Sequence, residues 1–493
     1  MPHRPTDSDQ EFTVIPASLT PDTSGDAPPS PALRWVLISL SLSTLLSSLG
    51  TSIANVGLPT FAQVFGASFQ EVQWIVLAYL LAITTLIVGA GRLGDLVGRR
   101  RLLLVGIGVF TVASALCGVA PSLGALVAAR AVQGVGAALM MALTLSMVGE
   151  TVPKNRTGQA MGLLGTLSAI GTALGPSLGG LLIAGPGWRA LFFVLVPLGT
   201  ATWMLARRHL PVDRVRAPSA RTGFDPLGTL LLALSLAAYA LAMTLGRGQF
   251  GALNAGLLLV AAIGAGAFVW VESRVASPLI RLAMFSDRTL SASLGMSALV
   301  TTVMMATLVV GPFYLAGALG LETAVVGLVM SAGPLVTALA SAPAGRLADR
   351  VGASRLTLIG LGCTCTGASL LALMPTAWGV AGYLGAIVIT TGGYALFQTA
   401  NNTTVMGDVA AEQRGVVSGL LGLSRNLGLM TGASVMGAVF AWAANSTHLV
   451  TAPRDAVAFG MRTTFAIGVV LIGVALVIGV WAGGRGRRVA ASA

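Results

Sequence analysis

Stretch after stretch of this chain is apolar for close to the ~20 residues a helix needs to cross a bilayer, and almost every charge falls between those stretches. Hydrocarbon offers no water to backbone amides, so such runs are confined to helices whose hydrogen bonds are internal. Hydrophobic length and breaker residues predict about fourteen spans, at roughly 35–56, 73–91, 102–120, 123–147, 158–183, 188–206, 227–246, 252–273, 289–316, 324–345, 354–374, 378–404, 415–440 and 460–482. Of the 493 residues, 55% are hydrophobic and 9% charged, against roughly 25% charged in soluble domains. The expected fold class is an all-α polytopic membrane protein.

The net charge of +12 and a pI near 11.0 would in a soluble chain suggest a nucleic-acid partner. Here the basic residues alternate between loops, and topology accounts for them. The loops after spans 2, 4, 6, 8, 10 and 12 carry Arg99 to Arg101; Lys154 and Arg156; Arg207, Arg208, Arg214, Arg216 and Arg221; Arg274, Arg281 and Arg288; Arg350 and Arg355; and Arg414. The positive-inside rule puts those loops and both termini in the cytoplasm, with Arg485, Arg487 and Arg488 in the tail. Trp35, Trp74, Trp188, Trp203, Trp270, Trp378, Trp442 and Trp481 all fall within a few residues of span ends, where amphipathic indoles favour the headgroup level.

Several function classes drop out. A phosphate-binding loop needs a Lys beside Ser or Thr after a Gly-rich turn, and the only lysine is Lys154, in PKNR. His3, His209 and His448 read as loop or tail residues, and Cys117, Cys363 and Cys365 lie inside apolar runs. Neither a disulfide framework nor a metal site is expected. No cofactor and no catalytic constellation is expected, so the chain does not read as an enzyme. Residues 1–33 are rich in Pro, Ser, Thr and Asp and lack a signal peptide's apolar core; they read as a disordered cytoplasmic tail.

One signature occurs twice: GRLGDLVGRR from Gly91 to Arg100 and GRLADRVG from Gly345 to Gly352. A duplicated Gly-x-Leu-x-Asp-x-x-Gly turn at the start of a basic loop implies a duplicated bundle with a hinge in each half, the layout of a secondary transporter. The expected organisation is a first six-helix bundle over 34–208, a cytoplasmic linker over 209–226, two inserted helices over 227–273, a second bundle over 289–483 and a basic tail over 484–493.

These residues carry a family resemblance. From residue 35 to 482 the chain resembles the major facilitator superfamily, and within it the fourteen-helix drug:proton antiporter branch of multidrug efflux proteins. Gly91, Leu93, Asp95, Gly98, Arg99 and Arg100 match the family's motif between helices 2 and 3, and Gly345, Leu347, Asp349, Arg350 and Gly352 match its second copy. Arg130, Gln133 and Gly134 match an Arg-x-x-Gln-Gly pattern in span 4, and GTALGPSLGG resembles the antiporter motif at Gly171, Gly175, Pro176, Gly179 and Gly180. GWRALFFVLVPLG, from Gly187, and RGVVSGLLGLSRNLG, from Arg414, resemble segments found mainly in the fourteen-helix branch. The resemblance implies the major facilitator fold, two pseudo-symmetric six-helix bundles plus two inserted helices, working by alternating access.

The motifs also have physical readings of their own. Gly91 permits a close helix contact, and Gly98 a turn at positive φ. Asp95, with Arg92, Arg99 and Arg100 nearby, pairs with local arginines or caps a facing helix such as span 13, which makes it a gate candidate. Gly171, Gly175 and Gly179, at four-residue spacing, admit a neighbouring backbone, and Pro176 removes a donor; a helix of this kind between the halves would seal the central cavity.

Arg130 lies ~10 Å from the nearer end of span 4 at 1.5 Å per residue, so it needs a partner or a wet cavity. The resemblance implies an Asp in span 1, but the stretch reads LGTSIANVGLP and Gly50 stands at that position. Glu71, Glu150, Glu322 and Asp95 are left as proton-coupling candidates, and no spacing selects among them. Asn55, Gln133, Gln398, Asn401 and Asn402 are polar cavity candidates. Arg425, about ten residues into span 13, raises the alternative of an anionic or zwitterionic ligand held by Arg130 and Arg425.

The expected function is proton-driven export of small amphipathic compounds across a bacterial cytoplasmic membrane, with a narrow-specificity exporter or importer as the alternative. The expected partners are a small-molecule substrate, protons and the lipid bilayer. A monomer is expected, with an accessory efflux protein as an optional extension.

Overall fold

The computed structural model describes residues 31–152, 157–213, 225–245, 251–275, 278, 282–407, 414–446, 449 and 451–490. Among them fourteen helices are long and apolar enough to cross a membrane, and no strand occurs. They are α1 (Pro31–Ser52), α2 (Phe69–Val97), α3 (Arg99–Val119), α4 (Leu123–Thr151), α5 (Thr157–Ala184), α6 (Leu195–His209) and α7 (Pro226–Thr244). Then follow α8 (Ala252–Glu272), α9 (Arg288–Phe313), α10 (Thr323–Val351), α11 (Ala353–Leu373), α12 (Gly379–Gly407), α13 (Arg414–Thr431) and α14 (Arg454–Ala490). α9 runs into a π turn at Tyr314–Ala318, and α13 passes through another at Gly432–Met436 before ending as Gly437–Ala443. Short helices at Leu58–Phe65 and Ala190–Phe193 lead into α2 and α6.

Local chemistry sets several starts. Ser68 and Glu71 form a reciprocal capping box at α2, which satisfies amides that otherwise have no intrahelical acceptor. Asp225 accepts from Gly228 N at 2.8 Å ahead of Pro226 in α7, and Asp287 accepts from Thr289 N at 2.8 Å at α9.

The packing repeats. α4 lies against α2 and α3, α1 against α5 and α6, and α3 against α6; eight helices later, α12 lies against α10 and α11, α9 against α13 and α14, and α11 against α14. The two sets meet chiefly where α5 packs on α10 and α2 on α13. α7 and α8 pair with each other, and α7 reaches inward onto α2 and the π turn of α13, while Phe268 of α8 is buried in a cluster with Leu290 and Leu294 of α9. α8 is the least buried of the fourteen.

The duplicated signature is helical where a loop was expected. α2 runs to Val97 and α10 to Val351, well past the apolar runs, so all but the last turn residue of each signature lies on a helix. The connection is a single glycine in each set: Gly98 at φ 106° and Gly352 at φ 91°. The close contact expected at Gly91 is absent, since a Cβ there meets nothing within 4 Å; the tight position is Gly94, packed under Leu143 of α4. The difference is one of helical phase, because Gly94 faces α4 and Gly91 does not. His209, expected in a loop, completes the last turn of α6.

Gly98→Ala is expected to lower the melting temperature of the purified protein, at about 1–3 kcal/mol for a strained positive φ. Gly91→Ala is expected to leave it unchanged or raise it by up to ~1 kcal/mol of helix propensity. Thermal unfolding of both variants checks the contrast.

Candidate functional site

Arg130 is fully buried on α4. Its Nε donates to Ile75 O of α2 at 2.9 Å, and its Nη1 to Gly50 O of α1 at 3.0 Å and to Gln133 Oε1 at 2.5 Å. The guanidinium carbon sits 4.1 Å from the centroid of the Tyr79 ring. Gln133 Nε2 donates onward to Ser114 Oγ of α3 at 2.7 Å, and Tyr79 Oη donates to Ser47 O of α1 at 2.9 Å. One buried cation therefore joins four helices, stabilised by two backbone carbonyls, the Gln133 amide oxygen and an aromatic face, while its Nη2 has no hydrogen-bond partner among the described residues.

The backbone of Gly50 takes the place of the absent carboxylate. A Cβ at residue 50 would stand 2.8 Å from Phe110 Cζ and 3.2 Å from Tyr79 Oη, so the space an acidic side chain would occupy is already filled by two rings. Tyr79 and Ser114 were not singled out from the sequence. A polar tip on a residue inside an apolar run, as at Tyr79, was the available signal.

A second cluster closes the arginine-poor end. Phe69 at the start of α2 packs edge-on against Phe313 at 4.8 Å and Phe440 at 5.5 Å between centroids. Gln73, one turn along, donates from Nε2 to Ala433 O at 2.8 Å. That carbonyl lies in the π turn, whose wider ring frees carbonyls from their usual partners. On the opposite side Gly180 of α5 meets Gly327 of α10: a Cβ at Gly180 would lie 2.9 Å from both Gly327 Cα and Thr323 O. Asn55, fully buried with its Nδ2 donating to Thr51 O at 3.3 Å, sits in the turn after α1 that touches α5, α9 and α10.

The glycine stripe of α5 was expected between the halves. It faces α1 and the turn after it: a Cβ at Gly171 would lie 2.7 Å from Leu45 O, at Gly175 2.6 Å from Ser52 Cβ and 2.9 Å from Ile53 N, and at Gly179 2.7 Å from Val56 Cγ1. Four-residue spacing keeps the stripe on one helix face, and that face belongs to α1. Gly180, a residue further round, and Pro176, whose carbonyl abuts Gly327, make the contact with α10.

At the arginine-rich end, Asp213 beyond α6 accepts from Arg100 N at 2.8 Å and Arg101 N at 3.1 Å. It caps α3 beside Gly98. Arg99 Nη1 donates to Ser146 O at 3.2 Å and Arg100 Nη2 to Arg207 O at 2.5 Å. In the second copy Asp349 and Arg350 are exposed, and a Cβ at Gly345 meets nothing within 4 Å. The side chains of Arg92, Asp95 and Glu150 lie outside the described residues.

Of the remaining acids, Glu71 is engaged by Ser68 N and Oγ, both at 2.7 Å. Glu322 is exposed at the start of α10 and accepts no capping hydrogen bond. Arg425 is half-buried ~16 Å along α13, and among the described residues its guanidinium makes no hydrogen bond. The expected pair of arginines is thus split: Arg130 is sealed inside the first set, and Arg425 lies on α13 of the second. Arg462 of α14, missed in the sequence, donates from Nε to Met374 O at 3.1 Å. Asn401 is buried and donates to Ser293 O at 3.3 Å.

A two-set helical bundle with a closed end, buried intramembrane polar groups and a paired turn signature defines a membrane transporter. Residues 40–433 match the profile of the Major Facilitator Superfamily, and the chain belongs to that family. It is a secondary transporter of small molecules and not an enzyme. It is 32% identical over 427 residues to the multidrug resistance protein Stp of Mycobacterium tuberculosis, covering 85% of this chain and 79% of that one. It is 29% identical over 409 residues to the riboflavin transporter RibZ of Clostridioides difficile, covering 83% and 88%. A crystal structure of a bacterial homologue of the human lysosomal transporter Spinster, inward-facing and unoccupied, superposes with a TM-score of 0.67 at 16% identity, covering 92% of this chain and 98% of that one. These relatives and the fourteen apolar helices make the chain a bacterial multi-pass inner-membrane protein.

Arg130→Ala removes the hydrogen bonds to Ile75 O, Gly50 O and Gln133 Oε1, at about 1.5–3 kcal/mol for each hydrogen bond to a charged group. The expected result is a marked fall in melting temperature, with Arg425→Ala melting like the wild type. Differential scanning fluorimetry of both variants checks it.

Proposed function

We propose that this protein exports small amphipathic compounds from the bacterial cytoplasm in exchange for protons, as a member of the fourteen-helix drug:proton antiporter branch. The observation that carries the reading is the set of contacts between the two helix sets that closes the arginine-poor end. The Phe69–Phe313–Phe440 cluster, the Gln73 to Ala433 hydrogen bond and the Gly180–Gly327 contact all lie at the arginine-poor end. With the arginine-rich loops and both termini in the cytoplasm, that end is periplasmic, and the two six-helix bundles rock about it. α7 and α8 form the inserted pair, and the working unit is the monomer. The similarity to a multidrug resistance protein supports the substrate class.

One proton entering at ~150 mV supplies about 3.5 kcal/mol, enough for a concentration gradient of a few hundredfold. The coupling carboxylate is among Asp95, Glu150 and Glu322. Glu71 is withdrawn from that set because its carboxylate is committed to the Ser68 cap.

A narrower reading, an anionic or zwitterionic ligand, is favoured by Arg425, whose guanidinium has no hydrogen-bond acceptor among the described residues, and by the similarity to a riboflavin transporter. In this conformation it loses Arg130, which is fully buried.

Preloaded, pump-deficient bacteria expressing the chain are expected to extrude ethidium, and a protonophore to abolish the extrusion. Glu71→Gln, which preserves the cap, is expected to keep protonophore-sensitive efflux. No efflux from protein shown to reside in the membrane would sink the reading as an exporter of amphipathic drugs. Gln73→Leu removes a hydrogen bond of about 1 kcal/mol, and roughly fivefold faster labelling of a cysteine at Ala433 by an external impermeant maleimide is expected.

A further inference from the structure

Away from the transport path, the start of α1 and the end of α6 enclose a groove of ≈ 450 Å³ lined by Trp35, Met204, Leu205, Arg208 and His209. The His209 ring stacks on the Trp35 indole at 5.0 Å and 17°, and its Nδ1 lies 3.1 Å from Leu205 O, which leaves Nε2 directed away from the helix. Trp35 is 44% exposed, Ile38 41% and Met204 60%. Trp35 and Ile38 share one face of α1, and Met204 and Arg208 one face of α6, by three- and four-residue spacing. The groove thus grades from apolar within the membrane to basic at its surface.

The basic end is not spent on the protein itself. Three carbonyls near the end of α6 are already taken: Arg207 O by Arg100, Leu205 O by His209 and Ala206 O by Leu210 N. Arg207 lies over Trp203, 5.2 Å from its ring centroid, and Asp213 is committed to the amides of α3. Among the described residues, Arg208 is exposed and donates to nothing. Arg34 is exposed on α1 beside Trp35, where the amino end of the helix adds positive potential.

We infer that this groove binds one anionic phospholipid of the leaflet on the arginine-rich side, its phosphate at Arg208 and His209 and an acyl chain along Trp35, Ile38 and Met204. Charge complementarity selects the occupant. A basic pocket between helices at headgroup depth attracts a lipid with net negative charge, and an exposed apolar stripe directly beneath it is what a tethered acyl chain covers. Arg100 of the turn signature bonds to Arg207 O beside the site, so the bound headgroup and the α2–α3 turn share one strut.

The full chain in detergent would be titrated with dioleoyl phosphatidylglycerol, dioleoyl phosphatidylcholine and inorganic phosphate, reading melting temperature and retained lipid by native mass spectrometry. Phosphatidylglycerol is expected to stabilise and co-purify, and the other two to do neither. The double variant Arg208→Gln/His209→Gln is expected to weaken phosphatidylglycerol binding about tenfold, from the loss of attraction at two basic positions. Arg208→Glu is expected to abolish binding, while Arg288→Gln, exposed at another helix end on the same side, binds like the wild type. Equal stabilisation by phosphatidylcholine, reproduction of the shift by inorganic phosphate, or unchanged binding in the double variant would each overturn the inference.

Discussion

Arg130 carries its charge at a depth where no bulk water reaches, so the helices around it must supply oxygen. α1 and α2 contribute backbone carbonyls, α4 contributes Gln133, and α3 contributes Ser114 behind it. An unpaired charge at this depth costs a few kcal/mol or more, and each helix that withdraws would leave part of that cost unmet. These hydrogen bonds tie α1, α2, α3 and α4 together, beside the close contacts of Gly134 with α2 and Gly136 with α3. They also explain why Gly50 suits its position: the guanidinium takes the backbone oxygen, and Phe110 and Tyr79 take the room beside it.

The two main contacts between the helix sets use different chemistry. α5 meets α10 through glycines, where backbones touch and dispersion is the main attraction. α2 meets α13 through Gln73 and three phenylalanines at a π turn, and α7 lies over that seam. Trp74 of α2 donates to Thr244 of α7 at 3.1 Å, and the Tyr239 hydroxyl of α7 lies against those of Thr431 and Ser434 on α13. α7 therefore holds one member of each set, which ties the α7–α8 pair to the closure of the arginine-poor end.

Much of the architecture was legible before any coordinates. The number of apolar helices, the duplicated signature and the isolated intramembrane Arg130 all follow from local composition and the bilayer's demands. The partners were not legible. No pattern at Gly171, Gly175 and Gly179 distinguishes α1 from α10 as the helix they admit, because small residues license a close approach without naming what approaches. Asp213 lay in a stretch read as linker, and its role depends on α3 arriving beside it. His209 seemed a loop residue because hydropathy marks the end of the apolar run, and α6 outlasts that run.

By itself, the sequence determined that this is an all-α membrane protein with fourteen spans and two related turn signatures, since in hydrocarbon an apolar run of ~20 residues satisfies its amides as a helix. Tertiary structure decided which groups neutralise Arg130, which glycine faces which helix, and which end of the bundle is closed. Those outcomes depend on carbonyls, ring faces and helix phases brought together from distant parts of the chain, and a carbonyl has no letter of its own in the sequence.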